Sequence, residues 1–586
     1  MTHDFIAEST CATHSLSMSK GDPGGLIARL SDFAMRTPAK LALGAVVLTS
    51  NDLTLEAFSY AELWARSCGA AQELAERGIG QGDRVCISVA QPERFVPWFI
   101  GTLMLGAIAV PVPGRSPWLT PRSLGDRLQG ILKDAAPRLF LSDSPAEIGA
   151  FLGNASVPIV EAFTPDPSEC VRWPFPASGQ PAFLQYTSGS TGDPKGVIVT
   201  HGNLDASCRA MASAAGFRAS DSMFSWLPLY HDMGLVGGVL LFLHQGLPTY
   251  VARTSSFVAI PDLWLRGIAK FRTTVSVAPP FAYDLCTERV RPARIEGVDL
   301  SCWRLAFVGA EPIAASVLDA FAERFARHGF RKDALYPVYG LAEATLGVTI
   351  PVPGAPLAIS TLPGGRPQRH VGNGAALPGH EVTIRNRESG ALEPEGVVGE
   401  VCVSGPSITL GYWNRAPRSP GTPLRTGDLG CVLDGQLYVV DRVKDLIIIA
   451  GQNYAPADVE RSLAHVEGLR RGRIVAFSLP GTATETLHVV AETRRDFTGS
   501  AAKLRADMAE TLLREFGLRL TSCALVPGGT LEQTTSGKLR RHAARERLLR
   551  GDWSSASPSG NDENAKFSES DCRAARTHSV ANEPTL

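Results

Sequence analysis

Hydrophobic and polar residues recur along most of the chain with two periods, one typical of amphipathic helices and one typical of strands. Helix-like stretches such as 61–78 alternate with short apolar runs such as 84–90 and 138–141, an order that is typical of βαβ units. The most apolar stretch, 98–110, is too short to cross a bilayer and is followed at once by Pro111. We therefore predict an α/β fold in which this stretch is a buried helix leading into a core strand.

The pattern changes in the second half of the chain. Between 371 and 440, strand-like pieces at 381–385, 399–404 and 437–440 are separated by Gly and Pro turns without a helix, which predicts a small β subdomain. From 444 to about 549, strand-like pieces are mixed with an amphipathic helix near 501–516, which predicts a separate α+β domain. We predict a large N-terminal domain of βαβ subdomains at 23–441, which includes the β subdomain at 370–440. A small, mobile C-terminal domain at 442–550 is hinged to it. The start at 1–22 and the tail at 551–586 are predicted to be disordered.

Composition excludes some classes of function. The 586 residues exceed the length at which one hydrophobic core stops growing, so more than one domain is expected. With 20% charged residues and a formal charge of -1, the chain has no broad attraction for nucleic acid. Its 11 cysteines are scattered without a C-x-x-C pair, which predicts reduced thiols and no structural metal. Because the start lacks the features of a signal peptide and no apolar span is long enough to cross a membrane, a cytoplasmic enzyme is expected.

The segment most informative about chemistry is 184–201, with the sequence LQYTSGSTGDPKGVIVTH. Its glycines allow the backbone to approach a ligand closely, while its hydroxyls, its backbone N–H groups and Lys195 are suited to polyphosphate. The spacing differs from the G-x-x-x-x-G-K-[ST] loop of P-loop NTPases and the exit is strand-like, so that class is disfavoured. A flexible Gly/Ser turn is the alternative that composition alone favours, but a linker needs no embedded Pro-Lys-Gly.

This string resembles the phosphate loop of the acyl-adenylate-forming superfamily, which includes acyl-CoA synthetases, fatty acyl-AMP ligases, the adenylation domains of peptide synthetases and the luciferases. The other motifs of that superfamily are matched in the same order, over about residues 25–550. They are WLPLYHDMG at 226–234 beside the acyl pocket, VGAEP at 308–312 and YPVYGLAEAT at 336–345 for adenine, RTGDL at 425–429 for ribose, DRVKD at 441–445 for the hinge, and TSGKL at 535–539 for the C-terminal lysine. The resemblance implies ATP and Mg2+ as cofactors.

The resemblance also implies which residues form the site. ATP is expected to contact Thr187, Ser188, Gly189, Ser190, Thr191, Gly192, Lys195, Gly309, Ala310, Glu311, Tyr339, Gly340, Asp428 and Arg442; catalysis is expected from Lys538, Glu343 and His231; the metal ligands are expected to be Glu343 and Thr187; and Lys444 and Gly451 are expected at the hinge and the acceptor tunnel.

The chemistry of these side chains suits those roles. The Glu343 carboxylate is a hard oxygen ligand for magnesium, and the Tyr339 ring offers a face for adenine. Asp428 can accept hydrogen bonds from both ribose hydroxyls, and Arg442 can reach the ribose or a phosphate. Lys538 would stabilise the charge that develops as pyrophosphate leaves. Taken one at a time, the same residues would be a surface Glu, a core Tyr, a loop ion pair and a solvated Lys, and a lone His is more often structural.

Within the superfamily the sequence resembles the fatty acyl-AMP ligases most, in strings such as SWLPLYHDMGLVGG, WRLAFVGAEPI and RVKDLIIIAGQNYAPADVE and in Ala342 before the glutamate. That branch implies activation of a medium- or long-chain fatty acid as acyl-AMP with release of pyrophosphate. Transfer to the phosphopantetheine thiol of an acyl carrier protein would follow. The extra segment usual after the glutamate motif is reduced here, because only 346–370 separates the neighbouring motifs. A fatty acyl-CoA synthetase that uses coenzyme A is therefore the alternative.

Two alternatives lie outside this branch. An amino-acid adenylation domain would place an acid early in the pocket motif, where this chain instead shows WLPLY at 226–230 before an apolar run. A non-catalytic binding module would show damage at the Lys, Glu and Asp positions of the motifs, and none is damaged. If the acceptor is an acidic carrier protein, it is expected to meet basic groups such as Arg540, Arg541 and Arg545, which alone would be a solvated helix face.

Overall fold

The structure of the chain, a computed structural model, describes residues 25–49, 52–115, 121–153, 157–169, 173–187, 194–362, 369–419, 421–449, 452–481, 485–534 and 538–553. Of the two ends predicted to be disordered, only 551–553 are described, as a turn after the last helix. The rest of both segments lies outside the described residues.

The α-helices of the described chain follow one another from the N-terminal part to the C-terminal part. They are α1 Leu26–Arg36, α2 Tyr60–Glu76, α3 Pro92–Met104, α4 Pro121–Ala135, α5 Pro145–Leu152, α6 His201–Ala214, α7 Leu241–His244, α8 Thr254–Ala259, α9 Asp262–Phe271, α10 Pro280–Arg289, α11 Ala315–Phe325, α12 Pro456–Leu463, α13 Ala501–Phe516 and α14 Arg541–Arg550. A π-helix, Met233–Leu240, leads directly into α7.

The strands alternate with these helices in the first half of the chain and follow one another in the second. They are β1 Leu41–Leu48, β2 Leu53–Ser59, β3 Arg84–Ser88, β4 Ile108–Pro111, β5 Leu139–Ser142, β6 Ile159–Glu161, β7 Pro181–Thr187, β8 Lys195–Thr200, β9 Met223–Ser225, β10 Thr249–Ala252, β11 Val275–Ala278, β12 Leu305–Val308, β13 Leu335–Pro337, β14 Tyr339–Gly340, β15 Gly347–Ile350, β16 Ile359–Thr361, β17 Arg369–Val371, β18 Ala375–Ala376, β19 Glu381–Arg385, β20 Gly399–Ser404, β21 Leu424–Leu433, β22 Gln436–Arg442, β23 Ile447–Ile449, β24 Gln452–Tyr454, β25 Leu469–Leu479, β26 Thr486–Thr493 and β27 Leu520–Val526.

Two large sheets organise the N-terminal part. One has the strand order β13-β12-β11-β9-β10-β1-β2 and the other the order β6-β5-β3-β4-β7-β8. Both are parallel except at one edge, where β2 pairs antiparallel with β1 and β8 pairs antiparallel with β7. Parallel neighbours require crossover connections, and the intervening helices supply them. The predicted α/β fold is therefore confirmed.

The predicted elements agree closely with the structure. The stretch 98–110 forms the end of α3 and the start of β4, and Trp98 at its start is 1% exposed. Strands β19 and β20 and helix α13 have the boundaries that the pattern predicts. No helix in the described part of the chain is long and apolar enough to span a membrane.

The later elements form a unit with a hydrophobic core of its own. Residues of β23, α12, β25, β26 and α13 pack together in a cluster separate from the large cluster of the N-terminal part. Strands β25, β26 and β27 form a sheet in which the first pair is antiparallel and the second parallel. We call the elements from β23 to α14 the C-terminal unit. The division at residues 441 and 442 stays a prediction.

Cysteine 68 differs from the expectation of reduced thiols. Seven described cysteines carry free thiols, and most of them are buried. Cys68, on α2, is disulfide-bonded, so the expectation is wrong at this position.

A capped helix start fixes the strand that leaves the phosphate loop. Strand β8 ends at Thr200, whose side chain accepts a hydrogen bond from the Asn203 amide while the Asn203 side chain accepts one from the Thr200 amide. Such a capping box satisfies two backbone donors at the start of a helix. Helix α6 therefore begins without an intervening loop, and β8 is held between this helix and β7.

One buried carboxylate joins the N-terminal ends of three neighbouring parallel strands. Asp221, just before β9, is 1% exposed and pairs with Arg304, just before β12. Its Oδ1 also accepts a hydrogen bond of 2.7 Å from the Thr274 hydroxyl, just before β11. The opposite, carboxyl ends of these strands are thereby held in register, and these are the ends at which ligands bind in parallel sheets.

We predict that Asp221→Ala destabilises the N-terminal part, because the Arg304 guanidinium would stay buried without its partner. Loss of one member of a buried pair costs about 3–5 kcal/mol. Urea unfolding followed by tryptophan fluorescence measures the effect. Asp333→Ala is the matched control, since Asp333 pairs with Arg331 at the surface and such pairs contribute about 1 kcal/mol or less. Equal midpoints for the two variants would contradict the role of Asp221.

Candidate active site

The sequence-predicted residues converge on one large cavity. It has a volume of about 2370 Å³ and lies between the carboxyl ends of the seven-stranded parallel sheet and the C-terminal unit. The predicted residues that line it are Thr187, Lys195, His231, Gly309, Ala310, Glu311, Tyr339, Gly340, Glu343, Asp428, Arg442, Lys444 and Lys538. Ser188, Gly189, Ser190, Thr191, Gly192 and Gly451 lie outside the described residues.

The phosphate loop leaves and re-enters the smaller parallel sheet at one point. Strands β7 and β8 pair antiparallel, with Thr187 directly opposite Lys195. The last residue of one strand and the first of the next therefore face each other at the base of the loop. The Lys195 ammonium lies 5.7 Å from the centre of the Tyr412 ring, a distance at which cation and ring attract.

Tyr412 also holds the carboxylate expected to bind metal. Glu343 lies in a short turn, Ala342–Ala344, and its Oε1 accepts a hydrogen bond of 2.8 Å from the Tyr412 hydroxyl. Burial, reinforced by Glu343, raises the pKa of Tyr412. Among the described residues, no group of three or more His, Cys, Asp or Glu side chains could hold a metal ion. That Glu343 and the Thr187 hydroxyl hold a metal ion together with phosphate oxygens, as Mg2+ is commonly held, stays a prediction.

The residues expected to bind adenosine form a connected cluster. The Tyr339 hydroxyl donates to Asp428 Oδ2 at 2.6 Å, and Arg442 Nε donates to Asp428 Oδ1 at 3.2 Å. Asp428 and Arg442 are direct partners on the neighbouring strands β21 and β22. Burial, reinforced by Asp428, raises the pKa of Tyr339 well above its ordinary value. This phenol therefore stays a hydrogen-bond donor that fixes the carboxylate beside the adenine side of the cavity.

The backbone after β12 adopts an unusual conformation beside this cluster. Ala310 has φ of 74°, in the left-handed region that residues with a β-carbon rarely adopt. A β-carbon at Gly309 would lie 3.0 Å from Val338 Cγ2 and 3.1 Å from its carbonyl oxygen, so the two strand ends approach closely because glycine is present. Glu311 follows directly, and its carboxylate faces the cavity.

His231 has an acidic partner that sequence reasoning passed over. Its Nδ1 lies 2.7 Å from Asp232 Oδ1, which also accepts the Met233 amide at 2.7 Å. Burial opposes ionisation of Asp232, but His231, the amide and the nearby Lys538 outweigh it and lower the pKa of this carboxyl. The signal was an acid directly after the histidine of the motif.

Lys538 is desolvated among carboxylates of the N-terminal part. Burial is the main cause that lowers the pKa of this ammonium, and the Arg442 guanidinium adds to it. The carboxylates of Glu311, Asp232 and Asp428 act in the opposite direction. A residue of the C-terminal unit thus lies where adenosine, acyl and phosphate groups are expected to meet.

An ion-pair network fixes the helix that follows Lys538. Arg541, the first residue of α14, donates to Asp445 at 3.0 Å, to Glu460 at 2.8 Å and to the Ala476 carbonyl at 3.0 Å. Its side chain is 21% exposed. Arg541 therefore has internal partners for its donors, which the sequence did not predict, and its contact with a carrier protein stays a prediction.

The hinge residue predicted from the sequence lies in an exposed turn. Lys444 follows β22 and precedes β23, so it connects the last strand of the β sheet formed by β19 to β22 with the C-terminal unit. The Asp441 carboxylate, just before it, accepts the Ala457 amide at the start of α12 at 3.3 Å. The role of Lys444 as a pivot stays a prediction.

Part of the remaining wall of the cavity is apolar. It is built largely from α6, the π-helix, α10 and the strand ends, with side chains that include Met211, Phe217, Met223, Phe242, Phe281, Leu285, Leu346 and Ile350. Gly237, on the π-helix, faces Leu346, and a β-carbon there would lie 3.0 Å from Leu346 Cδ2. An apolar chain fits such a lining better than a charged side chain does.

Comparison with known proteins agrees with this geometry. A family model described as AMP-binding enzyme matches residues 30–413. The chain is 32% identical to the medium-chain-fatty-acid–[acyl-carrier-protein] ligase JamA of Moorena producens, over 86% of this chain and 92% of that protein. It is 34% identical to the long-chain-fatty-acid–AMP ligase FadD26 of Mycobacterium marinum, over 84% and 91% respectively. A solved structure from work on fatty acyl-adenylate ligases of E. coli and L. pneumophila matches with a TM-score of 0.82 and 33% identity, covering 91% of this chain and 99% of that one.

We predict that Lys538→Ala lowers the rate of acyl-adenylate formation by about 10²–10³-fold while leaving the fold intact, because one preorganised donor to the reacting phosphate is lost. Fatty-acid-dependent exchange of pyrophosphate into ATP measures this rate. Lys503→Ala, at an exposed position of α13, is the control and should keep the normal rate. Normal exchange in Lys538→Ala would exclude the role.

Proposed function

We propose that this chain, which belongs to the AMP-binding enzyme family, activates a medium- or long-chain fatty acid with ATP as acyl-AMP and releases pyrophosphate. The observation that carries the proposal is the position of Lys538 among Asp232, Glu311 and Asp428, in a cavity that has an apolar wall. The names of the relatives JamA and FadD26, both fatty-acid ligases, support the substrate class. A cytoplasmic location stays a prediction from the sequence.

In the proposed reaction, a carboxylate oxygen of the fatty acid forms a bond to the α-phosphorus and the bond to the β-phosphate oxygen breaks. Negative charge grows on the departing pyrophosphate and on the α-phosphate oxygens. The Lys538 ammonium offsets that charge in a desolvated site, where electrostatic attraction is stronger than in water. His231, held by Asp232, presents its other ring nitrogen toward the incoming carboxylate.

Magnesium is the proposed divalent ion. The donors present, the Glu343 carboxylate and the Thr187 hydroxyl, are hard oxygen ligands that suit it. When bound, the ion would neutralise charge on the phosphate oxygens. Tyr412 keeps Glu343 directed at this side of the cavity, since its hydroxyl takes one carboxylate oxygen and leaves the other.

The buried Asp232, directly after His231, is relevant to the alternative that the chain is an amino-acid adenylation domain. An amino-acid adenylation domain needs a carboxylate for the substrate ammonium. Asp232 lines the cavity, but His231, the Met233 amide and Lys538 already engage it. A substrate ammonium would compete with Lys538 and with hydrogen bonds that are in place, whereas a fatty acid brings no such charge. The fatty-acid reading is therefore favoured.

The proposed acceptor of the acyl group is the phosphopantetheine thiol of an acyl carrier protein, and the printed name of JamA supports it. Coenzyme A carries the same arm and is the alternative, which the short interval 346–370 favours. In both cases the C-terminal unit is expected to rotate about Lys444 and to bring Gly451 to the acceptor tunnel.

The first prediction of the proposed function concerns the acceptor. Pre-formed acyl-AMP is supplied with either coenzyme A or a holo carrier protein, and the thioester is measured by mass spectrometry. We expect the carrier protein to be acylated at least about tenfold faster, a difference of about 1.4 kcal/mol in the barrier. If coenzyme A is acylated as fast, the chain is an acyl-CoA synthetase.

A second prediction concerns Glu343. The Glu343→Gln variant keeps the shape but loses the charge, so the Mg2+ concentration needed for half-maximal rate should rise about tenfold or more. Part of the lost rate should return at high Mg2+. Tyr412→Phe is the control, because it removes one hydrogen bond to the carboxylate and keeps the charge; its effect should be smaller. An unchanged Mg2+ dependence in Glu343→Gln would remove this residue from the metal site.

A further inference from the structure

Helix α4 presents a partly unsatisfied guanidinium to the base of the phosphate loop. Arg127 Nη2 donates to the Tyr186 carbonyl at 3.2 Å, one residue before Thr187. Its Nε is buried and has no hydrogen-bond partner among the residues that the structure describes. Within the same residues, no carboxylate pairs with it as an ion pair. A buried charged donor in this condition is costly unless a ligand completes it.

A second arginine reaches the same place from the C-terminal unit. Arg540 lines the cavity together with Arg127, Thr187 and Lys195. Burial lowers the pKa of Arg127 to about 10; Tyr230 opposes the shift, and the nearby Arg540 guanidinium adds to it. The carboxylate that pairs with Arg540 is Glu532, at 2.8 Å on its own side of the cleft. Two guanidinium groups therefore line one cleft with Lys195, close enough for the charge of one to act on the other.

We propose that Arg127 and Arg540 clamp the β- and γ-phosphates of ATP, and then pyrophosphate, from opposite sides of the cleft. The proposal rests on the proposed function, since that reaction supplies the ligand. A guanidinium presents parallel N–H donors that match phosphate oxygens. An anion with several charges also removes the repulsion between the two groups, which otherwise opposes closure of the cleft.

The clamp would couple the departure of pyrophosphate to the movement of the C-terminal unit. Arg540 is two residues from Lys538, so both enter the cleft in one movement. Lys538 then acts at the α-phosphate and Arg540 at the leaving group. When pyrophosphate departs, the two guanidiniums again repel each other across the cleft. The repulsion favours withdrawal of the C-terminal unit, which the transfer step is expected to need.

The test compares ATP with AMP as ligands, because only ATP carries the phosphates in question. Arg127→Gln should weaken ATP binding in titration calorimetry about tenfold, as expected for loss of one charge-assisted interaction, and leave AMP binding unchanged. Arg122→Gln, an exposed arginine on the same helix, is the matched control and should change neither. Arg127→Lys should recover part of the loss. Arg540→Gln should act in the same direction as Arg127→Gln, and the double variant should lose less than the product of the two effects.

Other outcomes would overturn the clamp. Equal losses of ATP and AMP binding in Arg127→Gln would assign the residue a structural role, and unchanged ATP binding would remove it from the site. The phosphodiester of a phosphopantetheine arm also carries negatively charged oxygens, so it is the other ligand that suits the Arg127 guanidinium. If Arg127→Gln slows transfer from pre-formed acyl-AMP and leaves ATP binding unchanged, that arm is the ligand instead. Failure of the proposed function is distinguished from failure of the clamp by the wild-type chain, which would then form no acyl-AMP from any fatty acid.

Discussion

The placement of one ammonium group across the boundary between the two parts of the molecule is the constraint on which the site depends. Lys538 belongs to the C-terminal unit, yet the carboxylates that stabilise its charge, Asp232, Glu311 and Asp428, belong to the N-terminal part. The dependence runs in both directions. Burial raises the pKa of Glu311, and Lys538 is the charge that opposes this shift. An acidic cavity without Lys538 would hold buried carboxylates with too few cations, so the closed arrangement and the charged site stabilise each other.

The position of Lys538 depends in turn on a rigid connection to the hinge. Arg541 ties the start of α14 to Asp445 in the hinge turn and to Glu460 on α12. Burial lowers the pKa of Arg541, but these carboxylates outweigh it and raise it. The segment that carries Lys538 and Arg540 therefore moves with the hinge as one piece. A rotation about the predicted hinge would remove the Lys538 ammonium and the proposed phosphate contact together.

The parts of the site that could be predicted from the sequence are those where one motif carries one role. Each of four residues that are far apart in the chain but line one cavity lies in a distinctive string: Tyr339, Asp428, Arg442 and Lys538. The fold class followed from the alternation of strand and helix patterns. Boundaries were most accurate where Gly and Pro punctuate the pattern, as at β19 and β20.

What could not be predicted depends on contacts between distant segments. Tyr412 bridges Lys195 and Glu343, but its own sequence carries no sign of either partner. Arg127 on α4 reads as an ordinary polar position of an amphipathic helix until β7 and the C-terminal unit are placed beside it. Arg541 is another example. A run of arginines at a helix start resembles a solvated surface, and only the packing against α12 shows that Arg541 has internal partners.

The charge balance of the assembled site connects these observations to substrate choice. One wall of the cavity is apolar, while its mouth holds Asp232, which contacts His231, and Asp428, which pairs with Arg442. Lys538, Arg127 and Lys195 line the same cavity, and no ion pair shorter than 4 Å is found for any of the three among the described residues. A ligand that brings negative charge to these cations and an apolar chain to the apolar wall would complement both parts of the cavity. A carboxylic acid with a long apolar tail, bound beside a nucleoside triphosphate, has that distribution of charge, whereas a substrate with an ammonium group would bring a further cation close to Lys538.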